Sequence, residues 1–447
     1  MENLYQSNIS EIKKLIKEKK ISSLELSNLS LKRIYSYDKY VNSFIHLNED
    51  EVLNRAQLLD NYIKNGKYLG DLHGIPISIK DAFDIVGMPT TVGSKVFLNS
   101  FPDKNSKVVS KLLNAGSIII GKNETTEFCF GGPSIDSAFL PANNPWNLNR
   151  WTGGSSGGGA AAVASQLCFA SIGTDTGGSV RLPAAWCGLV GLMPTPGNIS
   201  RDGVFELSKS LDSIGVLTKS VTDATIITNK ICKKNNFLSL PKLDYGQRVV
   251  IASNLFKSAD KNISQIINDI LSRMQDFDFE IKNLTKFGIK NYAAVQSIIT
   301  VSEAYKNYKK YLNSDMNLGF FTRSRLSLGA FVSRENYKDA LIAREKCIEQ
   351  FNNIMEDYDL MILPSAMTLA PKINSKDPFL FLNNPLPTTI ANVVGIPSIV
   401  LPWNVVGGLP TSIQILGKKG DDQKIIDFAF FIENIRKKWV YPEFTKL

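Results

Sequence analysis

The feature that most constrains the fold is a set of short apolar segments, bounded by glycines, in the middle of the chain. Ile75–Ile79 and Ser117–Ile120 have the length and composition of strands buried within a sheet. Between them, Lys107–Leu113 has apolar residues at helical spacing. This alternation predicts an α/β fold, in which helices cover both faces of a mixed central sheet.

The rest of the chain extends this pattern into one large domain. Residues 1–65 are predicted to form an N-terminal helical segment that packs on the core, and residues 66–447 the main domain, with a helical insertion at about 255–355. A final helix is expected to begin near Asp421. Further strands are expected at Val249–Ala252, Leu360–Leu363, Ile396–Leu401 and Ser412–Leu416.

Composition excludes several classes of protein. The chain has 51 Lys and Arg against 42 Asp and Glu, but the lysines are dispersed and form no nucleic-acid-binding patch. The polar N-terminus predicts no signal peptide, and no apolar stretch is long enough to span a membrane. Five widely spaced cysteines without a CxxC pair favour a reducing, cytoplasmic location over disulfides or a thiolate zinc site.

The densest unusual stretch is Gly153–Gly159, which on its own is typical of a flexible linker. It leads, however, into the small-residue segment Ala160–Ala164 and then into a second glycine motif, Gly173–Pro183. Consecutive glycines before a serine allow several backbone N–H groups to point at one spot, as an oxyanion requires. We therefore interpret the two motifs as parts of one catalytic site.

Lys80 ends the apolar segment Ile75–Ile79 and is the candidate base. A lysine in such a position is desolvated, which lowers its pKa toward a value useful for proton transfer. Together with Ser155, Ser179 and the amide-rich loop, Lys80 completes a hydrolytic set that needs no histidine.

Two other catalytic motifs fit less well. Gly154–Gly158 matches the GxSxG pattern, but that arrangement needs a strand before the serine and a histidine after it. Here Asn144–Thr152 is predicted to be turn-like, and both histidines, His46 and His73, lie upstream. For His73, a structural role is favoured over proton transfer.

Phosphate-binding and metal-binding alternatives are also disfavoured. Gly116–Asn123 is one residue short of a Walker A match, because Asn123 replaces the Ser or Thr and the Ile-rich stretch is typical of a strand. No HExxH motif or histidine-carboxylate cluster is present. The sequence therefore predicts neither a metal nor an organic cofactor.

From about Gly70 to Asp223, and more thinly to Gly417, these motifs resemble the amidase signature family of Ser-Ser-Lys hydrolases. The resemblance implies that Ser179 is the acylated nucleophile, Ser155 a bridging serine in a cis peptide, and Lys80 the base. The oxyanion hole would consist of the N–H groups of Thr176, Gly177, Gly178 and Ser179. Asp175 and Arg181 would form a supporting ion pair, or a purely structural one. Cys129, Phe130 and Gly131 are candidate substrate-pocket residues, with a simple core role as the alternative.

Within this family, Glu127–Gly132 and Ser213–Thr218 look like the A subunits of glutamyl-tRNA amidotransferases. The groups that would hold glutamine depart from that pattern. Leu182 stands where glutamine is usual, Arg344 is out of register, and Asn384 or Pro385 replaces an aspartate. Met193 replaces a usual lysine, which we interpret as structural drift.

We therefore expect an amidase that hydrolyses a small-molecule carboxylic amide to an acid and ammonia or an amine. The alternative is a glutaminase component that supplies ammonia to partner subunits working on charged tRNA, the one case in which nucleic acid is implicated. An inactive scaffold is disfavoured because Lys80, Ser155 and Ser179 are all present. The physiological amide and the oligomeric state, a homodimer included, stay open.

Overall fold

The computed structural model describes residues 2–133, 135–234, 237–312, 317–373 and 386–442. The strands are β1 Phe44–His46, β2 Pro76–Lys80, β3 Ile118–Asn123, β4 Asn143–Asn144, β5 Asn147–Trp151, β6 Ala170–Asp175, β7 Val190–Met193, β8 Ser213–Thr218, β9 Arg248–Ala252, β10 Glu280–Leu284, β11 Leu360–Pro364, β12 Ser398–Val406 and β13 Leu409–Gly417.

The helices cover these strands and join them. They are α1 Ile9–Lys17, α2 Ser23–Val41, α3 Glu49–Lys64, α4 Lys107–Asn114, α5 Gly157–Ala164, α6 Arg181–Cys187, α7 Val221–Ile231, α8 Ser253–Ser258, α9 Lys261–Ser264, α10 Ile266–Met274, α11 Lys290–Tyr308, α12 Phe320–Leu328, α13 Arg334–Met355, α14 Thr389–Val394 and α15 Asp422–Ile435. Within the described ranges, none of the helices combines the length and the apolar character that a membrane-spanning helix needs.

The described strands form one mixed eleven-stranded sheet and a separate β4–β5 ribbon. The sheet order is β1-β3-β2-β6-β8-β7-β12-β13-β11-β9-β10. β2 is parallel to β3 and to β6, whereas β8 is antiparallel to β6 and to β7. This confirms the predicted α/β fold with a mixed central sheet.

Helices cover both faces of this sheet, as β3 illustrates. Ile119 packs in a core that includes α4 residues, while Ile118 and Ile120 pack in a second core with residues of α2, α3 and α5. Successive side chains of a strand point to opposite faces, so each face has its own hydrophobic core.

Each of the two predicted helical regions also contributes one strand to the main sheet. Residues 1–65 include β1, which pairs with β3 at the edge of the main sheet. The predicted insertion at 255–355 includes β10, which pairs with β9 at the opposite edge. Both strands are half-buried or exposed, so they lack the uninterrupted apolar run that identifies a central strand.

The start of α5 is fixed by close backbone contact. A Cβ at Gly158 would lie 2.6–2.7 Å from backbone atoms of Glu124 and Ser43. Only glycine permits this approach, so the turn before α5, which contains Ser155, is held against the end of β3.

Candidate active site

Lys80 lies at the carboxyl end of β2 and is completely buried. Its Nζ donates to Ser155 Oγ at 2.7 Å and to Thr174 Oγ1 at 2.6 Å. Because β2 and β6 are parallel neighbours, their carboxyl ends meet at one edge of the sheet, and this brings Thr174 to Lys80. A cleft outside such an edge is a common place for a ligand site in α/β sheets.

Burial lowers the pKa of Lys80 below the usual value of a lysine. Cys129, which also hydrogen-bonds the amine, and the charges of Asp212 and Asp175 oppose that effect without cancelling it. A lysine with a lowered pKa spends more of its time neutral, so it can accept a proton from Ser155.

The two serine loops lie against each other. The backbone N–H of Ser156 donates to the carbonyl oxygen of Ser179 at 3.0 Å, and the peptide bond between Gly154 and Ser155 is cis. Ser155 is buried, whereas Ser179 is partly exposed and lines a cavity. The structure therefore brings Lys80, Ser155 and Ser179 to one place.

Asp175 and Arg181 form an ion pair, both fully buried, with 2.8 Å between Oδ1 and Nη2. Arg181 Nη1 also donates to Thr388 O and to Gln414 Oε1, at 2.7 and 2.9 Å. Asn392 bridges the pair by accepting from Arg181 Nη2 and donating to Asp175 Oδ1. Burial alone would raise the pKa of Asp175, but the Arg181 charge and these donors hold that pKa below its usual value.

This ion pair changes the predicted oxyanion hole. The backbone N–H of Gly178 donates to Asp175 Oδ1 at 2.8 Å, so it is not available to an oxyanion. The N–H groups of the other three predicted donors, Thr176, Gly177 and Ser179, donate no hydrogen bond within the described part of the chain. Gly178 has φ of +121°, and a Cβ there would clash with Thr388, so the loop requires glycine at this position.

A cavity of about 600 Å³ opens beside Ser179. Strand ends and loops form its sheet-side wall, and α11 and α12 form its helical wall. Most of the large side chains that line it are apolar: Phe130, Trp151, Leu182, Leu207, Ile298, Val301, Leu328 and Leu386. Lys290 and Arg325 are the charged side chains among the described lining residues, and no described carboxylate lines the cavity.

The candidate pocket residues Cys129, Phe130 and Gly131 all line this cavity. Arg325 on α12 fixes their loop, because its Nη1 donates to the carbonyl oxygens of Phe130 and Gly132 at 2.7 and 3.2 Å. The helical wall and this loop are therefore connected through a buried guanidinium.

Several predicted residues lie away from the cavity or have other partners. Arg344 donates to Val393 O at 2.8 Å. Met193 is buried, and its sulfur accepts from Asn392 Nδ2 at 3.5 Å. His73 is buried and makes hydrogen bonds to backbone atoms of Leu59 and Leu69. Asn384 and Pro385 lie outside the described residues.

The prediction that Asn144–Thr152 is turn-like was wrong. Its residues contribute to the two strands of the β4–β5 ribbon, which are polar and partly exposed. Asn and Pro at the turn mask these short strands in the sequence. A strand does therefore precede Ser155, although both histidines still lie upstream of it.

Sequence reasoning missed the helical wall and Thr174. Thr174 directly precedes Asp175 in the second glycine motif, so its side chain could have been included by position. Arg325 and Val301 are far from every motif, and an apolar cavity-lining helix has the same pattern as a core helix.

Known proteins match this chain over nearly its whole length. The family model named Amidase matches residues 25–426. The chain is 33% identical over 481 residues to the A subunit of the glutamyl-tRNA(Gln) amidotransferase of Thermoanaerobacter pseudethanolicus, covering 98% of both. A solved amidase structure has a TM-score of 0.88 at 26% identity, covering 96% of this chain and all of that one. The structure of the corresponding A subunit from Thermotoga maritima has a TM-score of 0.81 at 30% identity, covering 98% of each. The chain therefore belongs to the amidase signature family and is an amidohydrolase.

Proposed function

We propose that the protein hydrolyses a carboxylic amide through an acyl-enzyme on Ser179. The observation that carries this proposal is the 2.7 Å hydrogen bond from buried Lys80 to Ser155, in a loop that touches the backbone of Ser179. Neutral Lys80 accepts the Ser155 proton while Ser155 accepts that of Ser179. The Ser179 oxygen then forms a bond to the amide carbon.

The tetrahedral oxyanion accepts hydrogen bonds from the N–H groups of Gly177 and Ser179. One preorganised donor of this kind is worth about 3–4 kcal/mol. The proton then returns from Lys80 through Ser155 to the leaving nitrogen, the C–N bond breaks, and ammonia or an amine departs. Water repeats the relay to hydrolyse the ester and release the acid.

The cavity favours an amide with an apolar acyl group. Its 600 Å³ equals the liquid volume of about 20 water molecules, which is ample for an aromatic or branched acyl chain. An ammonium group would find no counter-charge among the described lining residues, and a buried charge without a partner is costly. The apolar lining therefore supports uncharged apolar amides as the preferred substrates.

The second candidate is a glutaminase component that passes ammonia to a partner, and the likeness to amidotransferase A subunits over 98% of the chain favours it. Under this alternative, glutamine is hydrolysed at Ser179 only in the presence of partner subunits.

Under either candidate we place the protein in the cytoplasm, since all five cysteines are free and buried.

A direct experiment is ammonia release from aromatic, branched, linear and amino-acid amides, glutamine included. We expect the apolar amides to be the best substrates and a fluorophosphonate probe to label Ser179. The control Ser179→Ala should neither turn over amides nor be labelled. If glutamine were the one amide hydrolysed, and if its hydrolysis required partner subunits, the second candidate would replace the first. Labelling of Ser179→Ala at the wild-type rate would contradict both.

A further inference from the structure

A carboxylate outside the predicted site lies beside the nucleophile loop. β6 and β8 are antiparallel, with Asp175 opposite Ser213. Thr176 follows the end of β6 and Asp212 precedes the start of β8, so the two face each other. The Thr176 hydroxyl donates to Asp212 Oδ1 at 2.6 Å, which fixes the residue next to the Gly177 oxyanion donor.

The other carboxylate oxygen of Asp212 holds the cavity wall. It accepts the backbone N–H groups of Leu207 and Ser208 at 2.8 and 3.0 Å, and the Leu207 side chain lines the substrate cavity. One carboxylate thus connects the nucleophile loop to a segment that lines the cavity.

Asp212 and Thr174 both line a second, small cavity of about 30 Å³. This volume suits about one water molecule, and both residues offer the polar groups that such a water requires. Thr174 already accepts a hydrogen bond from Lys80 at 2.6 Å, so its own hydroxyl hydrogen can point to this water.

We infer that Asp212 is a positioning residue of the active site. It holds Thr176 directly and, through one water in the small cavity, holds the Thr174 hydroxyl that Lys80 contacts. This inference rests on the proposed function, because it assigns Asp212 to the same Lys80–Ser155–Ser179 relay.

The charge of Asp212 affects the pKa of Lys80, which a residue with a packing role alone would not do. Burial lowers the pKa of Lys80, and the Asp212 charge opposes that effect. Burial raises the pKa of Asp212 itself to about 6. The charged and titratable groups that face Asp212 are Arg201, Glu206, Lys80 and Tyr308. Removing the Asp212 charge therefore lowers the pKa of Lys80 further.

The test compares Asp212→Asn with Asp202→Asn, which removes the same charge from an exposed position on the loop. We expect Asp212→Asn to lower kcat roughly 10–100-fold, because misplaced catalytic groups lose about that much. The rising limb of its pH–rate profile should move to lower pH by roughly half a unit. Asp202→Asn should match the wild type in both respects.

Thr176→Val provides a second, independent variant. It breaks the direct hydrogen bond but keeps the Asp212 charge, so kcat should fall while the rising limb stays in place; Thr176→Ser should restore the rate. A crystal structure should show one ordered water between Thr174 and Asp212.

The inference would be overturned if Asp212→Asn kept the wild-type kcat and an unshifted pH–rate profile. It would also be overturned if Thr176→Val shifted the rising limb of that profile. A crystal structure in which Thr174 and Asp212 are well ordered, with no water between them, would overturn the proposed water-mediated contact of Asp212 with Thr174. Failure of the wild type to be labelled at Ser179 would instead overturn the proposed function.

Discussion

The two walls of the substrate cavity are built differently. Behind the sheet-side wall, Lys80, Asp175 and Arg181 are completely buried and hydrogen-bonded to groups from distant parts of the chain. The helical wall consists of α11 and α12, which contribute apolar residues such as Val301 and Leu328 to the cavity lining. We infer that the buried polar groups fix the reaction and that the apolar lining, to which the helical wall contributes Ile298, Val301 and Leu328, selects the substrate.

The substitution Lys80→Met should have the largest effect on activity. Without its base the relay stops, and we expect kcat to fall roughly 10⁴-fold or more. Folding should not suffer, because a buried amine is replaced by an apolar side chain of similar length. Amide turnover and the free energy of unfolding in urea measure the two effects.

The coupling between protonation of Lys80 and folding also indicates that Lys80→Met should not destabilise the protein. The pKa of Lys80 is lower in the folded than in the unfolded chain, so the unfolded state binds more protons, and lowering the pH through that interval destabilises the fold. Lys80→Met removes this cost. A variant that lost both activity and stability would show that Lys80 also serves the fold.

Arg181→Met tests whether the sheet-side wall is a single unit. Removing one partner of a buried ion pair leaves Asp175 uncompensated, which typically costs about 3–5 kcal/mol. We expect a matching loss of unfolding free energy by chemical denaturation. The control is Lys20→Met, which removes an exposed ion pair with Glu18 and should leave the free energy of unfolding nearly unchanged. Equal losses would contradict the special role of the buried pair.

Much of the sheet-side wall could be predicted from the sequence, for physical reasons. β2 and β3 are buried on both sides, so they are apolar runs between glycines, and the serines lie in loops whose backbone demands glycine. β10 was missed because an exposed edge strand such as Glu280–Leu284 needs no apolar run. Val301 and Arg325 were missed because tertiary packing alone brings them to Ser179.

The pH dependence of amide hydrolysis reports on the protonation of Lys80. Only neutral Lys80 can accept a proton, so kcat/KM should rise with pH as Lys80 is deprotonated. Because burial lowers its pKa, the midpoint should lie below the ordinary lysine value of about 10.4. Rates for one apolar amide between pH 5 and 10 measure the midpoint. A flat profile would argue against Lys80 as the base.

The smallest expected effect is in the helical wall. Val301→Ala removes apolar contact area, so KM for apolar amides should rise roughly 3–10-fold, in line with about 1 kcal/mol, with little change in kcat. Asn307→Ala, at an exposed position of the same helix, should leave both constants unchanged. A selective fall in kcat for Val301→Ala would show that the helical wall also takes part in the reaction.

The Asp175–Arg181 pair bears on how this enzyme loses activity on heating. It joins the nucleophile loop to Asn392 and Gln414, more than 200 residues further along the chain. We therefore expect the nucleophile loop to loosen only together with the C-terminal elements that carry Asn392 and Gln414. On heating, inactivation and global unfolding should follow one curve, so a simple assay of turnover also reports whether the whole molecule is intact.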